Sequence, residues 1–450
     1  MLITLLTWIY QLFIILPFGL FLYTLKPRED GSKKIDTSGF TLIFLLGLTI
    51  VTTLSAILSL VTNIGWQVHL GFLLAAVLLW VFLSVKKRIP RFTLSLQTMN
   101  WVEKSTLGIA ALAAGIVLVL ATTVPENPDT AIYHAQAIHW IEDFGAVPGL
   151  ANLHQRFGYN SNWLVANALF SLAFLKIQSF HLLPSTLFLV MTVYFFSGLF
   201  ALAGGSRKIS DLAKAFFFIA AFLLLAEEIS SPGTDMPATL LTWFVVSEWI
   251  RLIEEPRTGD EKTGLWLSLV CVFCATIKLS SVPILIFVIW FLAREINRKR
   301  AIVLLPIILA GILIAGSYVS RNIIISGHLF FPGFSFDPVH LEWSLPPEQV
   351  QKEKEVIHWF GLLPRRPFAE FRQMDWPQQY SRWLVNQVPR HKAILSFISL
   401  TTLMLIGLLL VKRGRKWLNQ YREFAVLLLT LYAGVIFWLV SAPAFRFGYG

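Results

Sequence analysis

The chain has 450 residues, of which 56% are hydrophobic and only 14% charged. Soluble domains carry about 25% charged residues, so this composition, with a mean hydropathy of +0.67, excludes a soluble enzyme, a fibrous protein and a disordered scaffold. Lys and Arg exceed Asp and Glu by 11. In a soluble protein that excess would suggest nucleic acid, but here the basic residues lie in short blocks between apolar runs, so they report orientation in a membrane and no nucleic-acid partner is expected.

Apolar runs of about 18 residues or more recur from end to end, the pattern of an all-α polytopic integral membrane protein. The runs are continuous rather than alternating with period two, which excludes an outer-membrane barrel. In chain order the segments are 2–25, 39–61, 68–85, 105–123, 162–176, 181–203, 213–226, 237–252, 264–277, 280–293, 301–319, 393–411 and 423–441. The first is too long for a signal-peptide core and is followed, not preceded, by Lys26 and Arg28, so it reads as a spanning helix. Lys86/Lys87/Arg88, Arg207/Lys208, Arg298/Lys299/Arg300 and Lys412/Arg413/Arg415/Lys416 should face the cytoplasm. The links 62–67, 124–161 and 227–236, poor in Lys and Arg, should face outward.

Length decides two segments. The stretch 162–176 carries Asn162, Asn167 and Lys176 and would reach only about 22 Å as a helix, so it should lie in, or re-enter, the outer interface. A single helix over 264–293 would run about 45 Å against roughly 30 Å of hydrocarbon, with Lys278 mid-membrane. Two short helices meeting at Lys278-Leu279-Ser280-Ser281 near the outer face resolve this. About twelve crossings result, within a range of eleven to thirteen.

The chain divides into N-terminal membrane helices (1–123), a first outer loop with interfacial helices (124–180), central membrane helices (181–320), a large outer loop (321–392) and C-terminal membrane helices (393–450). The Pro- and Trp-rich loop 331–391, with Glu348, Lys352, Glu353, Lys354 and Glu355, should hold at least one short amphipathic helix and act as a lid or substrate-binding element. No internal repeat is visible, which argues against an inverted-repeat transporter. Cys271 and Cys274 form a C-x-x-C inside an apolar helix without a second pair, so they read as packed small residues.

Ionisable residues near hydrocarbon cost several kcal/mol unless they pair or face a cavity, and here they gather on the outer side. They are Glu126, Asp129, Tyr133, His134 and His139 in the first outer loop, Glu227, Glu228 and Asp235 in the second, Lys278 at the helix break, and Arg321 and Asn322 after the next helix. Pro128 ends an extended stretch and Asp129 is placed as a helix N-cap, an alternative to a catalytic role. His134 and His139 are five apart, about 500° around a helix, so they do not form a zinc pair. Charges look nearly absent from the inner halves of the helices, which argues against a transport path.

Asp129-x-x-x-Tyr133-His134, continuing to His139-Trp140 after a spanning helix, resembles the first outer loop of C-type (GT-C) glycosyltransferases. These include protein mannosyltransferases and lipid A aminoarabinose transferases. Ser231-Pro232-Gly233-Thr234-Asp235-Met236-Pro237, Thr276-Ile277-Lys278-Leu279-Ser280, and Arg321-Asn322 with Gly327 and Phe331-Pro332 look like later parts of the same superfamily, so the similarity spans about residues 100–335. The chain departs from the pattern in having Pro128 where family members often pair a second acid, with Glu126 three residues before Asp129. It also stops just past a helix at Ala444-Phe445-Arg446-Phe447-Gly448-Tyr449-Gly450, which reads as the start of further sequence lost by truncation.

The resemblance implies a GT-C-like fold in a bacterial inner membrane, with its site facing the periplasm. It implies a polyprenyl-phosphate sugar donor, a lipid, glycan or protein acceptor, and contact with membrane lipids. No cofactor is fixed by it, and the need for a divalent cation stays open. Asp129 would be the general base. Lys278 and Arg321 would approach one another and neutralise the donor phosphate, and His134 would bind phosphate or orient Asp129. Glu126, Tyr133, His139, Glu228, Asp235 and Asn322 complete the expected substrate site. The alternatives are a transporter or lipid flippase, and a non-catalytic member of the same fold.

Overall fold

The computed structural model describes residues 1–25, 35–89, 101–176, 181–255, 260–297 and 301–450. Lys26, Arg28 and the block Arg298/Lys299/Arg300 lie outside the described residues. The helices are α1 (Leu2–Tyr23), α2 (Thr37–Leu58), α3 (Trp66–Val85), α4 (Trp101–Leu120), α5 (Ala135–Phe144), α6 (Leu150–Leu153), α7 (Asn162–Phe170), α8 (Leu183–Ala203), α9 (Ile209–Leu224) and α10 (Asp235–Glu254). They continue as α11 (Asp260–Ile277), α12 (Leu285–Asn297), α13 (Ala301–Ser326), α14 (Pro347–Leu362), α15 (Phe368–Arg372), α16 (Trp376–Val385), α17 (Pro389–Leu410), α18 (Lys412–Gln420), α19 (Arg422–Ser441) and α20 (Phe445–Gly448). No strand occurs among the described residues, where one isolated bridge pairs Phe330 with Phe334.

The protein is a helical membrane protein. Nine helices among the described residues are long and apolar enough to cross a membrane, and three shorter apolar ones accompany them. Without a hydrophobic drive between helices in lipid, close backbone approach supplies the packing. A Cβ on Gly19 would fall 1.9 Å from the Ile43 carbonyl oxygen, and one on Gly47 2.1 Å from that of Ile15, so α1 and α2 meet backbone to backbone.

Two ends are distinguished by charge. α9 starts and α10 ends beside Arg207 and Lys208, where Lys208 pairs with Glu255 and Glu254 accepts from the Ser210 amide at 2.9 Å. Arg294 near the end of α12 and Glu423 at the start of α19 meet there as well, at 3.7 Å. At the other end α4, α9, α11 and α19 finish and α10 begins.

The break at Lys278 is present. α11 stops at Ile277, Lys278 is extended, and a 3-10 turn over Leu279–Ile284 leads into α12. α7 decides between the two expected placements: a helix lying on the membrane surface exposes a face, whereas every residue of α7 is buried. Ser161 caps it, its hydroxyl accepting from the Trp163 amide at 3.1 Å and donating to Ile277 O at 2.7 Å. Asn162 Nδ2 donates to Thr276 Oγ1 at 3.1 Å. These bonds hold α7 inside the protein, although Asn162 Oδ1 and Asn167 Oδ1 are buried without a partner, so α7 re-enters the bundle. The loop after α13 forms α14, α15 and α16, whose Leu362, Phe371 and Trp383 pack with Trp438 and Phe445 into a small second core. α17 has no buried residue. Cys271 and Cys274 are buried and free, as their apolar setting implies.

Candidate functional site

The loop after α4 is fixed by hydrogen bonds from side chains. Asn127 Oδ1 accepts from the Asp129 amide at 2.9 Å, and Asn127 Nδ2 donates to both Glu228 carboxylate oxygens, at 2.9 and 3.2 Å. Thr130 and Ser231 share a hydroxyl bond of 2.8 Å. The loop before α10 is thereby tied to a π-helical turn over Thr130–His134, a distortion often found at functional sites. Gly233 permits the approach: a Cβ there would come within 3.3 Å of His134 Cε1 and 3.2 Å of Ser231 Oγ.

Asp129 does not cap this helix, because its side chain accepts no backbone hydrogen bond. Its oxygens turn instead to two guanidinium groups, Oδ1 to Arg156 Nη1 at 3.3 Å and Oδ2 to Arg446 Nη2 at 2.8 Å. Arg446 Nε also faces Asp235 Oδ2 at 3.7 Å, and Lys278 donates to Asp235 Oδ1. Lys278 Nζ and the Arg446 guanidinium both lie over the ring of Phe447, at 3.8 and 4.8 Å from its centroid. Arg156 stands 5.7 Å over the ring of Tyr133, which touches His134 at 4.2 Å between centroids. Cations and carboxylates therefore alternate in sign from Lys278 to Arg156.

Burial lowers the His134 imidazole to about 4, against the opposing pull of Asp129 and Asp235, so it is neutral at pH 7. Burial raises the Glu228 carboxyl, while the Asn127 hydrogen bond opposes the rise. Burial works against charge on Arg446, but Asp235 and Asp129 outweigh it and raise the guanidinium. His134 Nδ1 is buried without a hydrogen-bond partner.

A cavity of about 610 Å³ opens at Lys278, Asp235 and Arg446. Its remaining walls are mostly apolar, among them Phe217, Val246, Phe287, Phe397 and Leu431, from α9, α10, α12, α17 and α19. From Asp235 to Val246 the wall follows α10 for about 16 Å at 1.5 Å per residue. One end is charged and the body is greasy, the two-part shape that an amphiphile requires.

The chain belongs to the family described as Domain of unknown function (DUF8201). The family model matches residues 1–450. No curated protein and no solved structure matches the chain.

In this DUF8201 protein the fold brings Asp129, Tyr133, His134, Glu228, Asp235 and Lys278 together, and leaves other sequence candidates outside. Glu126 and Glu227 are exposed. His139 lies on the far face of α5, paired with Glu142 at 3.4 Å and Asp143 at 3.2 Å. Arg321 does not accompany Lys278. α13 continues past it to Ser326, and Arg321 is buried with Nη1 donating to Ser59 Oγ at 2.5 Å and Nε to Asn160 Oδ1 at 3.2 Å. Asn322 Nδ2 donates to Leu329 O at 2.9 Å and holds the turn beyond α13. No bond joins His134 to Asp129 among the described contacts, and a neutral imidazole is no counter-ion for phosphate.

Arg446 and Arg156 were not among the expected site residues. Arg156 is the sole Lys or Arg in 124–161, and Arg446 sits just beyond an apolar helix expected to end on the outward side; both were visible signals. The halves of the helices away from this site, expected to be the inner ones, also hold charge, contrary to expectation. Glu248 accepts from Tyr194 at 2.7 Å and Arg251 Nε at 2.9 Å, with Lys214 Nζ at 3.9 Å.

No group of three His, Cys, Asp or Glu side chains suited to a metal ion occurs among the described residues. Asp129 and Asp235 are each held by cationic side chains instead, so the donor set does not fit a divalent cation.

Proposed function

We propose that this protein is a membrane glycosyltransferase that moves a sugar from a polyprenyl-phosphate donor to a hydroxyl or amine on a lipid, glycan or protein acceptor. The reading includes a GT-C-like arrangement of twelve crossings in a bacterial inner membrane, made by the nine long helices with α4, α9 and α11, and a site open to the periplasm. The observation that carries it is the cavity, with two cations and a carboxylate at one end and apolar walls along the helices. A lipid chain takes the walls and its phosphate takes Lys278 and Arg446, the latter in the place expected of Arg321. Asp235 holds both cations in position.

Transfer forms a bond from the acceptor oxygen or nitrogen to the sugar's anomeric carbon and breaks the bond from that carbon to phosphate oxygen. The electron pair leaves with the phosphate, where preorganised cations stabilise the growing charge. The acceptor proton goes to Asp129 as general base. A flippase would instead need open polar groups along its path. The inner charges around Glu248 do not supply these, since they pair with one another.

Reconstituted vesicles with a radiolabelled polyprenyl-phosphate sugar distinguish the two. Label moved to a water-soluble or lipid acceptor is the expected result. Exchange of the donor between leaflets with no transfer to any acceptor would replace this reading with the flippase.

A further inference from the structure

Both oxygens of the proposed base are already engaged. Asp129 Oδ1 and Oδ2 accept from Arg156 and Arg446, and the side chain is only 15% exposed. Each oxygen keeps a second lone pair, but with a guanidinium seated against both and the side chain 15% exposed there is little room for an acceptor's hydroxyl or amine. Arg446 also serves Asp235 and lines the cavity mouth beside Lys278. One side chain thus links the place for the phosphate with the base.

We infer that donor phosphate unmasks the base: an anion seated between Lys278 and Arg446 draws Arg446 away from Asp129, whose Oδ2 is then free to accept the acceptor's proton. This rests on the transferase reading and adds an order to it, donor before acceptor. The phosphate supplies oxygens that compete with both carboxylates for the same N–H groups, so Arg446 exchanges one anion for another rather than losing a partner. Its backbone stays in place, because Phe445 is stacked on His391 at 3.8 Å and Trp383 at 5.9 Å. The movement falls to the long side chain. A swing toward Lys278 keeps the guanidinium near the Phe447 ring that already serves both cations. Arg156 remains on Oδ1 and keeps the carboxylate oriented. When the lipid phosphate departs, Arg446 returns and the base is covered again.

The test uses the full chain in nanodiscs of zwitterionic lipid and a polyprenyl phosphate bearing no sugar. Carboxyl labelling by a carbodiimide and an amine is read at Asp129 by peptide mass spectrometry, and bound lipid is counted by native mass spectrometry. Labelling should rise severalfold when the lipid phosphate binds. Arg446→Gln should reach the raised level with no lipid phosphate added. Bound lipid phosphate with labelling unchanged or lowered in the parent protein overturns the inference, whatever the variant does. No binding of lipid phosphate overturns the transferase reading first, and the inference with it.

Discussion

α10 carries two clusters of ion pairs, one around Asp235 and one around Glu248, thirteen residues and about 20 Å apart along the helix. Both contain a carboxylate, a lysine and an arginine, and both touch an aromatic ring. They differ in closure. Tyr194, Lys214 and Arg251 surround Glu248 in the packed interior. At the other end Lys278, Asp235 and Arg446 line a cavity, and Arg446 is 30% exposed. A closed cluster fixes helices to one another. An open one with similar members keeps cations available to a ligand, so accessibility, not residue type, separates the closed cluster from the proposed site.

The sharpest way to break the comparison is at the open end. Asp129→Asn removes the proposed base without touching a cap, and loss of a general base typically costs about 10²–10⁴ in rate. Transfer should fall by that amount while thermal unfolding stays near the parent's; transfer at the parent rate would remove Asp129 from the chemistry. The closed cluster should respond in the opposite currency. Glu248→Gln removes the carboxylate facing Lys214 in the packed interior, and breaking a buried pair costs about 3–5 kcal/mol. Folded yield and unfolding temperature should drop, with transfer per folded molecule retained.

Lys278→Ala tests donor binding alone. Loss of one partner from a desolvated charged contact costs about 2–5 kcal/mol, which should appear as weaker binding of polyprenyl phosphate; unchanged affinity would move the phosphate elsewhere. A smaller effect is expected from pH. His134 sits at about 4 in the folded protein against 6.5 ordinarily, so the unfolded chain takes the proton first as pH falls. Stability should therefore decline from about pH 6.5 toward 4, by at most ~1.4 kcal/mol per unit for this group. His134→Asn should flatten that part of a denaturation series. The smallest change is expected from chelation: with the carboxylates committed to cationic side chains, EDTA should leave transfer unaltered.

Much of this arrangement was legible in residue order. Continuous apolar runs gave the spans, and the excess length of 264–293 gave the break at Lys278, because a helix has a fixed rise and hydrocarbon a fixed thickness. Sidedness selected Asp129, Asp235, Lys278 and their neighbours, since the links between helices return to only two surfaces. Partner identity was not legible. Arg321 and Arg446 both end an apolar run, yet one points into the packed interior at Ser59 and Asn160 and the other into the cavity. That choice depends on helix rotation and on contacts more than a hundred residues apart. Glu248 was overlooked within an apolar helix, although its spacing to Arg251 is that of a helical pair.

The burial of α7 bears on how the protein is made. Nine residues extend about 14 Å, too little to cross a bilayer, and a segment with two asparagines is a poor guest for bare lipid. Its partners Thr276 and Ile277 follow it by more than a hundred positions. During synthesis α7 can dock on α2 and α5, which precede it, but Ser161 and Asn162 gain their α11 partners only once that helix has been inserted. The seat of α7 is therefore completed late, and a ribosome stalled before residue 260 should leave α7 more open to protease than the finished protein.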